Sequence, residues 1–198
     1  MITAVLLAAG RSSRMGAARD SKLLLPWGDG KESLVVGTVR KLQSSGIDHI
    51  VAVTGHRADE VGAAIASTGV EIVLNPEYVD GLSTSIAVGV RAAPDGSTGY
   101  LFALADMPNV AADTINRMCS ALAARPTAIV APVSNGRRGN PVLFSSDFRQ
   151  QLLSLSGDRG ASGLLTRYAG SVVEVEVDDE GIFADVDTAQ DYRKLRNS

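Results

Sequence analysis

The residues with the most evident chemistry lie in a cationic loop near the N-terminus. An apolar run over residues 2–9 ends at Gly10, and Arg11, Arg14 and Lys22 follow. This pattern is typical of a buried strand that opens into a loop whose backbone N–H groups can form an anion-binding concavity. From Gly10 to Lys22 the loop carries a formal charge of +3, whereas the whole chain carries −3. The pattern predicts a phosphate-binding loop; the alternative is a solvated basic loop.

This loop departs from two common phosphate-binding patterns. A Walker A motif needs a second glycine where Met15 stands, and the dinucleotide fingerprint G-x-G-x-x-G needs glycines at Ser12 and Met15. The loop is therefore neither a Walker P-loop nor a standard Rossmann loop.

A single carboxylate, Asp106, follows a second apolar run within the segment LADMP. Ligands of open α/β folds gather at the carboxyl ends of the strands, which is where this residue is expected. Carboxylate oxygens are suitable ligands for Mg²⁺, and a magnesium ion there would contact nucleotide phosphates. The alternative is an aspartate that caps the next helix.

A pair of carboxylates, Asp185 and Asp187, lies near the C-terminus. Residues two apart on an extended segment point to the same side. The pair either supplies a second metal contact or caps the last helix.

Small and hydroxylated residues follow Asn75-Pro76, at the predicted start of a helix. Gly81, Ser83 and Ser85 can contact a base, a ribose or a phosphate there. The hydroxyl groups can equally well cap the helix.

Elements that position these residues alternate along the first two thirds of the chain. Continuous apolar runs predict strands buried on both faces; they cover residues 2–9, 47–54, 70–74, 100–105 and 127–133. Helical patterns lie between or after them and cover residues 31–45, 58–67, 83–92 and 111–124. We therefore predict an α/β fold of three layers, with a mostly parallel sheet between two layers of helices.

The alternation of predicted strands and helices ends after Val133. Residues 147–155 predict a short helix, GDRGAS at 157–162 predicts a loop, and 171–177 predict an edge or antiparallel strand. Thr188 is predicted to cap a final helix over 188–195, with Asp191 three residues on. We expect a single domain over 1–198 with a small antiparallel addition in its C-terminal part.

The composition and net charge of the chain limit the classes of molecule that it is expected to bind. Charged residues make up 21% of the chain and the net charge is −3, which offers no general field for nucleic acid or an anionic membrane. The apolar run at 2–9 is too short to span a bilayer. One cysteine excludes an intramolecular disulfide and is compatible with the cytoplasm, where we expect the protein. A small anionic ligand is the expected partner.

Seven ordered motifs together resemble the molybdenum cofactor nucleotidyltransferases, within the wider group of MobA-like NTP transferases and sugar-nucleotide transferases. They are LLAAGRSSRMG at 6–16, KLLLPWG at 22–28, NPEYVDGLSTSIAVG at 75–89, LADMP at 104–108, RGNPVLF at 138–144, GDRGAS at 157–162 and DVDTAQDY at 185–192. The double-alanine form LAAG, with RGNPVLF and GDRGA, is more similar to the cytidylyltransferase branch.

The resemblance implies a Rossmann-like nucleotidyltransferase fold and a Mg²⁺-dependent transfer of CMP from CTP to the terminal phosphate of molybdopterin, with pyrophosphate as the second product. It implies that Arg14, Lys22 and Asp106 are catalytic, and that Asp106 and, less closely, Asp187 bind the metal. It implies nucleotide-binding roles for Leu7, Ala8, Ala9, Gly10, Arg14, Lys22, Gly81, Ser83, Ser85 and Asp106. Residues 1–133 would bind the nucleotide and 134–198 the acceptor, and a molybdenum hydroxylase would receive the product.

Two departures concern the acceptor. Asn140 stands where this branch often has histidine, and Ser162 where arginine is common. Three other interpretations therefore stay open: a nucleotidyltransferase with another phosphorylated acceptor, an NAD(P)H-dependent reductase of the nicotine blue type, and a non-catalytic cofactor carrier.

Overall fold

A computed structural model describes residues 1–11, 21–158 and 160–196. Its strands are β1 (Ile2–Ala8), β2 (Pro26–Trp27), β3 (Glu32–Ser33), β4 (His49–Thr54), β5 (Glu71–Leu74), β6 (Gly99–Leu104), β7 (Ile129–Ser134), β8 (Arg137–Arg138), β9 (Val142–Ser145) and β10 (Val172–Glu176). Its helices are α1 (Leu34–Gln43), α2 (Ala58–Ile65), α3 (Leu82–Ala92), α4 (Ala112–Ala124), α5 (Arg149–Leu153), α6 (Ser162–Arg167) and α7 (Ala189–Arg196).

Eight of these strands form one mixed sheet in the order β10-β7-β9-β6-β1-β4-β5, with β8 paired to β7. The pairs β6/β1, β1/β4, β4/β5 and β10/β7 are parallel. An antiparallel addition is present in the C-terminal part as predicted, but it consists of β8 and β9 rather than the segment at 171–177, and β9 lies between β6 and β7. The predicted α/β fold with a mostly parallel sheet is confirmed.

Helices cover both faces of the sheet, because the side chains of each strand alternate between them. On one face Leu6 of β1 belongs to the same buried cluster as Leu34 of α1 and Ile115 of α4. On the other face Val5 belongs to a cluster with Ile86 of α3. Within the described ranges no helix combines the length and the apolar character that a membrane crossing requires.

Strand β5 corrects one sequence prediction. The apolar run at 70–74 was expected to be buried on both faces, but β5 is an edge strand and its side chains are largely exposed. Ile72 is 38% exposed and Leu74 is 59% exposed. The segment predicted the strand correctly, but Glu71 interrupts its apolar run, and a charged residue there is more compatible with an edge strand than with one buried on both faces.

Other differences concern the ends of elements and one strand direction. The segment at 171–177 forms an edge strand, as predicted, but β10 runs parallel to β7, so the antiparallel alternative is wrong. Helix α1 begins at Leu34 rather than residue 31, because Glu32–Ser33 pair with Pro26–Trp27. In the segment predicted as a loop at 157–162, helix α6 begins at Ser162.

The parallel strands bring four loops to one edge of the sheet. Ala9 and Gly10 follow β1, Gly55 follows β4, Asn75 follows β5, and Asp106 lies two residues beyond β6. Because β6, β1, β4 and β5 point in the same direction, the segments after them meet at the edge where α/β folds bind ligands.

Candidate functional site

A lysine and two aspartates from distant parts of the chain meet at this edge. The Lys22 ammonium nitrogen, Nζ, lies 2.6 Å from Oδ2 of Asp106 and donates a hydrogen bond of 2.9 Å to Oδ1 of Asp187. The three side chains are 10%, 19% and 27% exposed, respectively. Burial alone lowers the pKa of Lys22, but the charges and hydrogen bonds of Asp106 and Asp187 outweigh it, and the net pKa is raised.

Backbone contacts hold Asp106 in place. The Ala105 N–H donates to the carbonyl of Leu7 over 3.2 Å, which continues the β1/β6 pairing by one residue. The buried hydroxyl of Thr38 in α1 donates to the carbonyl of Ala105 over 3.0 Å. The Val186 N–H donates to the carbonyl of Asp106 over 3.0 Å, so the C-terminal segment is joined to the turn after β6. That bond places Asp187, the next residue, beside Lys22.

The two interpretations of the C-terminal carboxylate pair can now be separated. Helix α7 is capped by Thr188 and Asp191: the Thr188 N–H donates to Oδ2 of Asp191 over 2.8 Å, and the Asp191 N–H donates to Oγ1 of Thr188 over 3.1 Å. This confirms the predicted cap and leaves Asp187 to contact Lys22. Asp185 is exposed, and desolvation together with the charges of Asp187 and Asp106 raises its pKa.

A cavity of about 360 Å³ lies beside Asp106. Six of the residues predicted to bind nucleotide or metal line it, namely Leu7, Ala9, Gly10, Gly81, Ser85 and Asp106. Ala8 and Ser83, which are both 1% exposed, do not line it. Lys22 and Asp187 are linked to it through Asp106. Arg14 lies outside the described residues, so its predicted role stays a prediction.

The hydroxyl groups at the start of α3 do not cap the helix, and a role in ligand binding stays a prediction. Gly81 is the N-cap residue and no side chain caps the helix. The buried Asn75 amide donates to Thr84 Oγ1 over 2.8 Å and to Ser85 Oγ over 2.9 Å, so these hydroxyls tie α3 to the end of β5. The Ser83 hydroxyl is buried without a hydrogen-bond partner among the described residues. The capping alternative is therefore wrong for all three hydroxyls.

Arg11, which belongs to the predicted phosphate-binding loop, also lines this cavity. Five further lining residues were not predicted from the sequence, namely Tyr78, Val79, Leu82, Leu104 and Asp158. Asp158 was assigned with GDRGAS to the acceptor side. Its position follows from Gly81, whose φ of +113° suits glycine and whose missing Cβ would lie 2.7 Å from Oδ1 of Asp158. The sequence alone does not show that the loops of Gly81 and Asp158 are in contact, which is why Asp158 was not predicted to line this cavity.

A second cavity of about 750 Å³ lies beside Asp187 and is lined mainly by residues 180–195. Asp187 lines this cavity, whereas Asp106 lines the first one, so the lysine–aspartate cluster connects the two. Its other charged lining residues are Glu180, Asp185, Asp191 and Lys194. The cluster therefore has space on two sides, as a transfer between two bound molecules requires.

The two departures from the family pattern lie away from the first cavity. Asn140 precedes a cis peptide bond to Pro141, and its N–H donates to the carbonyl of Ile182 over 2.9 Å. Ser162 is the first residue of α6. Neither lines the two cavities described above. An acceptor-side role for both stays a prediction.

Comparison with known proteins decides the family. The model of the MobA-like NTP transferase domain matches residues 4–172. The chain belongs to this family. The match contains Lys22, Asp106 and the whole lining of the first cavity, whereas Asp187 lies beyond its end. The expected resemblance is therefore confirmed, and the chain is a nucleotidyltransferase-family protein.

Two curated relatives are equally similar to the chain. The molybdenum cofactor cytidylyltransferase of Escherichia coli (strain K12) is 30% identical over 96% of this chain and 93% of its own length. The nicotine blue oxidoreductase of Paenarthrobacter nicotinovorans is 30% identical over 98% of this chain and 96% of its own length. Overall sequence similarity therefore does not separate the two activities.

A solved structure supports the same fold. Rv0371c from Mycobacterium tuberculosis H37Rv has a TM-score of 0.86 and 34% identity, and the match covers 100% of this chain and 98% of that one. A second structure of Rv0371c, in complex with manganese, has a TM-score of 0.81 and 30% identity over 100% and 98% of the two chains.

The lysine–aspartate cluster has the donor chemistry for a divalent cation. Asp106 and Asp187 already share one cation, the Lys22 ammonium, and both carboxylates are partly open to solvent. Hard cations such as Mg²⁺ prefer such oxygen ligands and usually keep water or phosphate oxygens as well. Within the described residues no group of three or more acidic, histidine or cysteine side chains could hold a metal. The chemistry of the two carboxylates fits a hard cation whose other ligands are water or phosphate oxygens.

Proposed function

We propose that this chain is a metal-dependent cytidylyltransferase that transfers CMP from CTP to the terminal phosphate of molybdopterin. The observation that carries the proposal is the Lys22–Asp106–Asp187 cluster, which sits between two cavities at the carboxyl edge of the sheet. Nucleotidyl transfer needs positioning and charge stabilisation more than it needs an acid–base residue. A lysine and two carboxylates supply that chemistry.

In the proposed reaction, the first cavity binds CTP. An oxygen of the acceptor phosphate attacks the α-phosphorus, a new P–O bond forms, and the bond between the α-phosphorus and the bridging oxygen breaks as pyrophosphate leaves. The nucleophile is already an anion, so it needs no base. When bound, Mg²⁺ would neutralise charge on the phosphate oxygens. Asp106 and Asp187 would hold it, and the Lys22 ammonium would turn from the carboxylates to the triphosphate.

Nucleotide choice is proposed to depend on the turn after β1. Ala9 lines the first cavity, and alanine at this position would leave less room for a large purine base than glycine would. This supports CTP over GTP.

Both parts of the chain are proposed to contribute to one site. Residues 1–133 supply Lys22 and Asp106, and residues 134–198 supply Asp158 and Asp187. We propose that the second part also binds the acceptor, and that a molybdenum hydroxylase receives the dinucleotide product.

A second candidate is an NAD(P)H-dependent reductase, because the oxidoreductase relative is as similar as the cytidylyltransferase. A dinucleotide has no triphosphate and needs no divalent cation for hydride transfer. The two carboxylates beside the cavity favour the transferase.

The test is a transfer assay with CTP labelled at the α-phosphate, Mg²⁺ and molybdopterin. We expect the label to appear in a cytosine dinucleotide with one equivalent of pyrophosphate, and Asp106→Asn to lower the rate by about 100-fold or more. Asp29→Asn is the matched control and should retain the wild-type rate, since Asp29 is exposed and contacts Lys31, through an ion pair and a hydrogen bond from the Lys31 N–H. Oxidation of NADPH without nucleotidyl transfer would refute the proposal.

A further inference from the structure

Of the described residues that line the first cavity, Tyr78 alone has an aromatic side chain. It begins a short 3-10 turn, Tyr78–Asp80, after the end of β5, and its side chain is half-buried. The proposed reaction assigns no role to it. A planar ring in a cavity that also contains charged groups is a natural partner for a ligand with a planar and a charged part.

The turn that carries Tyr78 is firmly anchored. Asn75 is fully buried, and its side-chain oxygen accepts a hydrogen bond of 3.0 Å from the Glu77 N–H. Its amide nitrogen donates to Thr84 and Ser85 in α3. The backbone next to Tyr78 is therefore fixed to the core, which limits the positions that the ring can adopt.

Gly55 allows Tyr78 to approach the turn after β1. A Cβ atom at Gly55 would lie 2.7 Å from Cβ of Tyr78 and 2.8 Å from Cβ of Ala9, closer than real Cβ contacts allow. The His56 N–H donates to the carbonyl of Ala9 over 3.1 Å and joins the ends of β4 and β1. Tyr78 and Ala9 thus meet over a residue that has no side chain.

Strand order sets the distance from Tyr78 to the proposed metal ligand. Tyr78 packs over Gly55 after β4, whereas Asp106 follows β6, two strands away in the order β6-β1-β4. Two strand spacings correspond to about 10 Å. This leaves room for a ribose between a phosphate at Asp106 and a planar base at Tyr78.

We propose that Tyr78 is a specificity-determining residue whose ring packs against the nucleobase, with Ala9 beside it. This inference rests on the proposed function, because it requires a nucleotide in the first cavity. Stacking of a base on an aromatic ring typically accounts for roughly 5- to 100-fold in affinity when the ring is replaced by alanine. The Arg11 guanidinium lies 5.8 Å from the centre of the ring, and in the proposed arrangement the base, not the phosphates or the ribose, contacts the ring.

The test compares CTP with ribose 5-triphosphate, which lacks the base, by calorimetric titration in the presence of Mg²⁺. We expect Tyr78→Ala to weaken CTP binding by roughly 5- to 100-fold and to leave the abasic ligand unchanged. Tyr78→Phe should bind CTP nearly as the wild type does. Leu74→Ala, which removes an exposed apolar side chain outside the cavity, is the matched control and should bind both ligands normally.

An equal loss for CTP and the abasic ligand would show a purely structural role for Tyr78 and overturn the inference, as would an unchanged affinity for CTP. Tyr78→Leu, which keeps apolar bulk without a planar ring, replaces the alanine variant if that variant does not fold. A wild-type protein that binds neither ligand would instead refute the proposed function, and this inference with it.

Discussion

Replacing Lys22 with methionine removes the ammonium that joins Asp106 to Asp187 and keeps most of the side chain. Removal of one partner from a fully buried ion pair costs about 3–5 kcal/mol, because a charge is left without compensation. Here the two carboxylates are 19% and 27% exposed, so water compensates part of the loss. We therefore expect the free energy of unfolding to fall by about 2 kcal/mol. For a chain of 198 residues this corresponds to about 4–8 °C in Tm.

Thermal unfolding followed by circular dichroism at pH 7 measures this loss. Lys31→Met is the matched control: Lys31 pairs with Asp29 over 2.9 Å, but the two side chains are 84% and 62% exposed. Exposed pairs contribute little, so the control should stay within about 0.5 kcal/mol of the wild type. Mn²⁺ should raise the Tm of the Lys22 variant more than that of the wild type, because the ion replaces the missing ammonium. Equal stability of the two variants would refute the reasoning.

The same difference has a defined pH dependence. The pKa of Lys22 in the folded protein is raised above its ordinary value of 10.5. A raised lysine pKa means that the folded state binds the proton more tightly than the unfolded state, so the stabilisation is fully present below pH 10.5. It is lost as the pH rises through the folded-state pKa. The gap between wild type and the methionine variant should therefore stay constant from pH 7 to 9 and narrow above pH 10.5.

Three further predictions concern the surroundings of the site. Thr38→Val leaves the Ala105 carbonyl without its buried donor and should lower the free energy of unfolding in urea by about 1–3 kcal/mol, whereas Thr38→Ser should not. Ala9→Gly should shift the CTP/GTP affinity ratio towards GTP by about tenfold in calorimetry; an unchanged ratio would remove Ala9 from the base pocket. Asp185→Asn should raise the Tm at pH 7, because the raised pKa makes the ionised carboxyl unfavourable in the folded state, and this advantage should disappear as the pH falls towards 3.8.

Strands that pair with parallel neighbours on both sides were the easiest part of the fold to predict. β1 and β4 form long apolar runs, and the predicted bounds differ from the structure by at most two residues. A strand that is buried on both faces needs apolar residues at successive positions, so the sequence pattern follows directly from the burial. β5 shows the limit of this rule, because it is largely apolar but begins at an exposed Glu71 and lies at the edge of the sheet.

The position of β9 could not be predicted in the same way. Its apolar residues were evident in RGNPVLF, but the strand enters the sheet between β6 and β7 and runs antiparallel to both. Pairing with segments that are distant in sequence is set by the whole fold. The parallel direction of β10, against one of the two predicted alternatives, has the same origin.

Residue types predicted the members of the site better than their contacts. Lys22, Asp106 and Asp187 were each expected there, but nothing in their spacing predicted that one ammonium would bridge both carboxylates. Ser83, in the first turn of α3, was expected to contact the ligand, but it is 1% exposed and does not line the first cavity. Asp158 was missed, since its approach to Gly81 depends on a contact between two loops.

The most direct test of the account is a calorimetric titration of the purified protein with CTP, first with Mg²⁺ and then with a chelator. The account predicts one binding site per chain, with affinity that falls strongly when the metal is removed and falls in the same way in Asp106→Asn. NADPH should bind far more weakly than CTP with Mg²⁺. Tight binding of NADPH that is independent of the metal, with no binding of CTP, would contradict it.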